Sequence, residues 1–193
     1  MPPRNRPCRN PRGFVMRKTR TPRSAKSQLA LPLSARPKQS MAESAQQRIS
    51  EHCHFKLRVS PSRIHRLGVF AAENIPARTR VIEYRGKKLN RRQVSEIFEE
   101  RWASRSPNLY YLARLDVYWA VDGAVGGSGA EFVNHSCDPN LIMMTILKRI
   151  WLVSLRRVRR GEELSYDYCF DSRAIRVPCH CGSPNCRGTL NKK

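Results

Sequence analysis

Acidic side chains are scarce in this 193-residue chain: 15 Asp and Glu stand against 37 Lys and Arg, a formal net charge of +22. Half of that excess lies in residues 1–50, where Glu43 is the lone acid. A basic arm on a basic body predicts a polyanionic partner, nucleic acid foremost, held by contacts that weaken with salt. A solvated tail accounts for the charge equally well. Long apolar runs are also missing. The longest, Leu141–Leu147, is strand-length and far short of the roughly 20 residues a membrane span requires, so no membrane partner is expected. The N-terminus lacks an apolar secretory core, which argues for an intracellular protein. It is Arg-rich and acid-poor like an organelle transit peptide. Pro2, Pro3, Pro7, Pro11, Pro22, Pro32 and Pro37 oppose the amphipathic helix such a peptide forms. An even cysteine count is lacking too, and Cys179, Cys181 and Cys186 crowd into eight residues. In an intracellular chain that clustering reads as metal binding rather than a disulfide framework. There is no internal repeat.

What is present begins near residue 51. Residues 1–50, rich in Pro, Arg, Ser and Gln without sustained periodicity, read as a disordered basic tail that cannot bury enough apolar surface to order itself. Phe55-Lys56-Leu57-Arg58-Val59 then alternates with period two, a half-buried strand. Further strands are expected at Gly68–Ala71, Val81–Tyr84, Tyr110–Leu112, Val117–Val121, Leu141–Leu147 and Ile150–Leu155. Lys148-Arg149 would turn the last two into a hairpin. One helix stands out: Asn90 can cap it with Gln93 three residues on, and Val94, Ile97, Phe98, Arg101 and Trp102 follow helical spacing, a stripe read as core packing. The class expected is mostly β, a β-rich α+β fold.

Two stretches carry chemistry. Cys179-His180-Cys181-Gly182-Ser183-Pro184-Asn185-Cys186 is a C-x-C-x4-C array, and its thiolates can wrap one tetrahedral zinc. Structural zinc takes four ligands, so one is missing. His180 is a strained choice between two ligands. Cys137, in Glu131-Phe132-Val133-Asn134-His135-Ser136-Cys137, is the favoured fourth, with Cys53 and Cys169 as competitors that also read as buried free thiols. So short a knot has almost no core, and the metal itself would order it. The second stretch is Glu163-Leu164-Ser165-Tyr166-Asp167-Tyr168, whose tyrosines face one side of a strand. In isolation they read as two core tyrosines. A functional alternative is a narrow channel for an aliphatic amine, where ring faces attract the cation and hydroxyls place the nitrogen.

With G-V-F, N-H-S-C, E-L-x-Y-D-Y and C-x-C-x4-C in that order, the chain resembles the SET-domain protein-lysine methyltransferases from about Phe55 to Asn191. It is most similar to trithorax-type members with a post-SET zinc segment and to compact bacterial relatives. The resemblance implies small curled sheets, a β-clip, with the N-H-S-C strand passing beneath a C-terminal loop as a pseudoknot. It divides the chain into the tail (1–50), a SET domain (51–171) and a post-SET segment (172–193). It implies S-adenosyl-L-methionine as cofactor, contacted by His65, Leu67, Gly68, Tyr111, Asn134, His135 and His180. Tyr168 is implied as the catalytic tyrosine, with Tyr166 and Tyr111 completing the channel. A structural zinc on Cys137, Cys179, Cys181 and Cys186 follows by the same matching. Tyr166 falls where the family varies between Tyr and Phe, and a tyrosine there implies chiefly mono-methylation.

The implied substrate is a lysine in a histone or histone-like protein, with residues 1–50 touching the DNA around it and a monomer as the default state. That places the protein at the nucleus or chromosome in a eukaryote, or at the nucleoid in a bacterial cytoplasm. The competing reading is a silent SET scaffold that binds chromatin through its tail. Three departures from the family pattern stand out. Arg66 replaces the first glycine of the cofactor loop, Glu131 stands where Arg is common, and no pre-SET cysteine cluster precedes the domain.

Overall fold

A computed structural model describes residues 39–104, 111–172 and 176–192. Its elements in chain order are α1 (Gln39–His52), β1 (Leu57–Pro61), β2 (Leu67–Ala71), β3 (Arg80–Tyr84), β4 (Lys87–Asn90), α2 (Arg91–Ala103), β5 (Leu112–Arg114), β6 (Trp119–Asp122), a 3-10 turn (Ala130–Phe132), β7 (Asn134–His135), β8 (Leu141–Ile146), β9 (Arg149–Ser154) and β10 (Ser165–Tyr166). The β-rich class expected from the sequence holds. The strands form three small sheets, β1-β2, β3-β9-β8-β10-β7 and β4-β6-β5.

Helix α1 departs from the sequence expectation, because the proposed boundary at residue 51 falls inside it. Residues 39–52 contain no proline, and Ala45 and Ile49, one turn apart, are wholly buried. Gln46 completes the docking by standing in for a neighbouring strand. Its Oε1 accepts from Val59 N–H at 2.8 Å, and its Nε2 donates to the Leu57 carbonyl at 3.0 Å. The earlier part of the expected tail, residues 1–38, lies outside the described residues.

Helix α2 starts where its capping chemistry says it should. Asn90 N–H donates to Gln93 Oε1 at 2.9 Å, and Gln93 N–H donates back to Asn90 Oδ1 at 3.0 Å, a reciprocal capping box. Val94 packs with Leu89 and Ala120 as expected. Arg101, read as part of the apolar stripe, instead reaches the fully buried Asp122 of β6 with two hydrogen bonds. The Trp102 side chain and Tyr110 lie outside the described residues.

Other boundaries shift by a residue or two. β6 begins at Trp119 rather than Val117, because Asp116 Oδ1 accepts from Tyr118 N–H at 2.7 Å and Trp119 N–H at 2.9 Å, holding Val117 and Tyr118 in a turn. The β8–β9 hairpin turns on Leu147 and Lys148, both with positive φ, while Arg149 pairs with Ile146. That left-handed pair matches the strand twist better than the expected Lys148-Arg149 turn.

The feature that builds the site is parallel pairing. β10 lies between β7 and β8, with Ser165 opposite Asn134 and Tyr166 opposite both His135 and Leu141. Parallel neighbours need a long crossover, and here the β8–β9 hairpin supplies it. β7 is then held from two directions: by β10, and by the C-terminal segment whose cysteines meet Cys137 just beyond it.

Candidate active site

Asn134 and His135 leave β7 on opposite errands. Asn134 Nδ2 donates to the Leu67 carbonyl at 3.0 Å and to Glu163 Oε1 at 2.8 Å, and lies 3.4 Å from the His65 carbonyl. It ties the 62–68 loop to the strand. Glu163, quoted in its motif but given no role, organises this corner. Both its oxygens accept from Ser62 Oγ, and it lies across Gly68 so closely that a Cβ there would come within 2.3 Å of Oε1. Gly68 is therefore required by space, not by backbone freedom. Arg66 in the same loop adopts a φ of 40°, a left-handed conformation that glycine takes freely and arginine at a cost of roughly 1–2 kcal/mol. The loop still closes, with Ser62 N–H donating to the Arg66 carbonyl at 2.9 Å.

His135 is 3% exposed. Its Nδ1 accepts from Tyr168 N–H at 3.1 Å, so a neutral ring carries its proton on Nε2, which sits 3.4 Å from Cys137 Sγ. Burial depresses its pKa to about 4, and Asp167, 3.6 Å away, only partly offsets this. His65 is likewise lowered, by burial first, then by the Arg66 charge and by His180. His180 itself is exposed on the C-terminal segment.

The tyrosines assemble behind these residues. The Tyr166 and Tyr168 rings lie 4.8 Å apart, and Tyr168 meets His135 edge-on at 5.4 Å. Tyr168 Oη donates to the Val133 carbonyl at 3.1 Å. Burial pushes both phenols far above the ordinary tyrosine pKa, so neither can serve as a base; they act as neutral hydrogen-bonding groups. Tyr111 packs edge-on against Phe132 at 5.9 Å, and its carbonyl accepts from Tyr84 Oη at 2.9 Å. Tyr84, fully enclosed on β3, was not read as part of the site. A tyrosine ending an apolar strand was the available signal.

Glu131 is also drawn in. Its Oε2 accepts from Gly129 N–H at 2.8 Å, and Arg48 Nη1 of α1 lies 2.9 Å from Oε1 as an ion pair without hydrogen-bond directionality. The charge reversal at this position is thus matched by a cation from an element the sequence reading left out.

The four sulfurs of Cys137, Cys179, Cys181 and Cys186 lie within 4.8 Å of one another. Cys137 Sγ is 3.7 Å from Cys179 Sγ and 3.9 Å from Cys186 Sγ. Zinc–sulfur bonds of about 2.3 Å in a tetrahedron put sulfurs roughly 3.8 Å apart, so the set is sized for that ion. Backbone N–H groups of Arg187 and Gly188 point at Cys137 and Cys186 sulfurs at 3.3 Å, as suits thiolates. Cys53, a competitor for the fourth place, donates to the Phe55 carbonyl instead, and Cys169 is not in the cluster. Asp167 joins this cluster to the tyrosines, since both its oxygens accept from the Arg187 guanidinium, at 2.7 and 2.9 Å.

The SET domain matches residues 66–169. The chain is 42% identical over 140 residues to the H3 lysine-4-specific histone-lysine N-methyltransferase of Schizosaccharomyces pombe, covering 70% of this chain and 15% of that protein. It is 41% identical over 136 residues to histone-lysine N-methyltransferase trr of Drosophila melanogaster, covering 67% of this chain and 6% of that protein. Against histone-lysine N-methyltransferase SETD1B of Homo sapiens the identity is 39% over 140 residues, covering 70% and 7%. Among solved structures, KRYPTONITE in complex with mCHG DNA and SAH superposes with a TM-score of 0.58 at 26% identity, covering 74% of this chain and 30% of that chain. The chain therefore spans only a small part of the length of the curated relatives it matches. Matched over more than half of its own length, it belongs to the SET-domain family.

Proposed function

We propose that this chain is an S-adenosyl-L-methionine-dependent protein-lysine N-methyltransferase that modifies a histone or histone-like protein, chiefly to the mono-methyl level. The observation that carries the reading is that Asn134 reaches the His65 and Leu67 carbonyls while its neighbour His135 meets the Tyr168 ring, which lies against that of Tyr166. His65, Leu67, Gly68, Tyr111, Asn134, His135 and His180 would line the cofactor site. The donor set fits a cationic ligand: carbonyls of His65 and Leu67, the Glu163 carboxylate behind them, and histidines held toward neutrality by burial. When bound, the cofactor supplies a methyl group already activated on a sulfonium.

The chain's own residues then have two tasks. The first is to hold the lysine neutral, although its free pKa is about 10.4. An apolar tyrosine-walled channel disfavours the ammonium by removing its hydration. The second is alignment, since an in-line displacement gains much of its rate from positioning. Tyr168, fixed through Val133 and His135, would orient the amine. Tyr166, its ring tilted against Tyr168 at 4.8 Å, would fill the space that additional methyl groups need. Cys137, Cys179, Cys181 and Cys186 would hold a structural zinc, away from the reacting atoms.

The basic charge fits a substrate that carries its own counter-charge. Two cationic proteins repel, whereas DNA wrapped around a histone attracts residues 1–50 and the basic body alike. On this reading the protein works at chromatin, or at the nucleoid in a bacterium. The H3 lysine-4 designation of the yeast relative makes histone H3 the first substrate to try. Replacing Tyr166 with Phe opens the channel, so mass spectrometry of the product should shift from mono- toward di- and tri-methyl lysine. Efficient tri-methylation by the unaltered chain would contradict the assigned level.

A further inference from the structure

Glu131 is enclosed beside the tyrosines, its side chain 1% exposed. Room is kept for it by two glycines. A Cβ on Gly127 would approach its Oε1 to 2.6 Å, and one on Gly123 would meet its Cβ and Tyr84 Oη at 2.9 Å. Five neighbours of charged or phenolic type face it. They are Arg48 from α1, Tyr84 from β3, Tyr111, Tyr166 from β10, and Asp122 from β6, whose own charge is taken up by Arg101 of α2. Arg48 is the one cation among them aimed at Glu131. It is anchored besides by its guanidinium lying 5.3 Å from the Phe132 ring centre.

Burial pushes the Glu131 carboxyl up, and the Arg48 charge works against that push. In the other direction, burial first and the Glu131 charge second raise the phenols of Tyr111 and Tyr166. The carboxylate is thus felt at two of the three tyrosines assigned to the channel. A lone buried charge there would be costly and would favour a cationic amine over the neutral one.

We propose that Arg48 and Glu131 are a charge-balancing positioning pair of the lysine channel, through which the docking of α1 sets the field felt by the substrate amine. This rests on the methyltransferase reading above. Neither residue touches the reacting atoms. With both in place the pair is close to neutral and the amine loses its proton as the channel alone dictates. Without Arg48 the uncompensated carboxylate stabilises the ammonium; without Glu131 the uncompensated guanidinium destabilises it.

The test is the pH profile of kcat, which reports the amine in the bound complex, for the full chain and for Arg48→Gln, Glu131→Gln and the double variant. The limb reporting deprotonation should move up in pH for Arg48→Gln and down for Glu131→Gln, each by about one unit, as a unit charge roughly 12 Å away at an effective dielectric near 20 implies. The double variant should return to the wild-type midpoint, and the swapped pair Arg48→Glu/Glu131→Arg should recover most of the activity lost in either reversal alone. Variants that lose activity with an unmoved midpoint would make α1 a structural support only and overturn the inference. A carboxyl-carbon NMR titration separates this from failure of the function reading. If wild type transfers no methyl group but Arg48→Gln still raises the Glu131 midpoint, the pair stands as electrostatics, while its channel role falls with the enzyme reading.

Discussion

Asp167 separates the two aromatic residues of the Y-D-Y sequence and does work that neither of them does. By accepting both arms of Arg187 it fastens β10 to the cysteine-bearing segment. Burial opposes its ionisation, yet the Arg187 hydrogen bonds prevail and hold its carboxyl below the ordinary carboxylate range. A folded-state pKa below the unfolded value of about 3.9 means that the stabilisation is present at neutral pH and lost as pH falls through that region. Asp167→Asn should lower stability by about 2 kcal/mol at pH 7, measured by denaturant unfolding. The gap to wild type should narrow below about pH 4; a gap that persists there would assign the loss to packing instead. At this scale much of the site was legible. Asn134, His135, Tyr166 and Tyr168 were named because their side-chain chemistry is concentrated in short motifs. Arg48 and Glu163 were passed over because a lone charge in a basic or acidic run carries no local sign of what it will face.

Elements were legible where their chemistry is local. The Asn90–Gln93 box marked the start of α2 because both partners lie within four residues. Helix α1 was missed because its burial rests on little more than Ala45 and Ile49, too few for a periodic stripe, and on Gln46 imitating a strand. β7 and β10 were read as strands only from the tyrosine spacing and the family resemblance, with no hint of their partners. Each is two residues long and exists through parallel pairing with a partner about 30 residues away. The C-terminal segment is likewise defined by long-range contacts, and the cysteines concentrate its stability. Its amides at Cys179, Leu190 and Lys192 bond to Gly188, Val177 and Phe170. If zinc holds them, metal analysis should give one zinc per chain, and chelation should abolish the hydrogen-exchange protection of those amides while β8 and β9 keep theirs. Unchanged protection after chelation would remove the metal from the account.

For the whole molecule, the fold makes one long-range closure serve two sites. The strand that begins with Asn134 runs on into Cys137 two residues past its end, so whatever tightens the C-terminal segment also steadies the loop at His65 and the tyrosines behind it. The β-rich class could be read from short alternating segments, but this closure could not, because it is a property of strand order rather than of any segment. The central claim, that this closure assembles a lysine-methylating centre, is tested most directly by one measurement. The zinc-loaded full chain is incubated with S-adenosyl-L-methionine and histone H3, free and in nucleosomes, and the histone is read by tandem mass spectrometry beside a Tyr168→Phe reaction. The account predicts a single methyl group on a defined lysine, reduced about a hundredfold in Tyr168→Phe. No methyl incorporation by the wild-type chain, or equal incorporation by Tyr168→Phe, would contradict it.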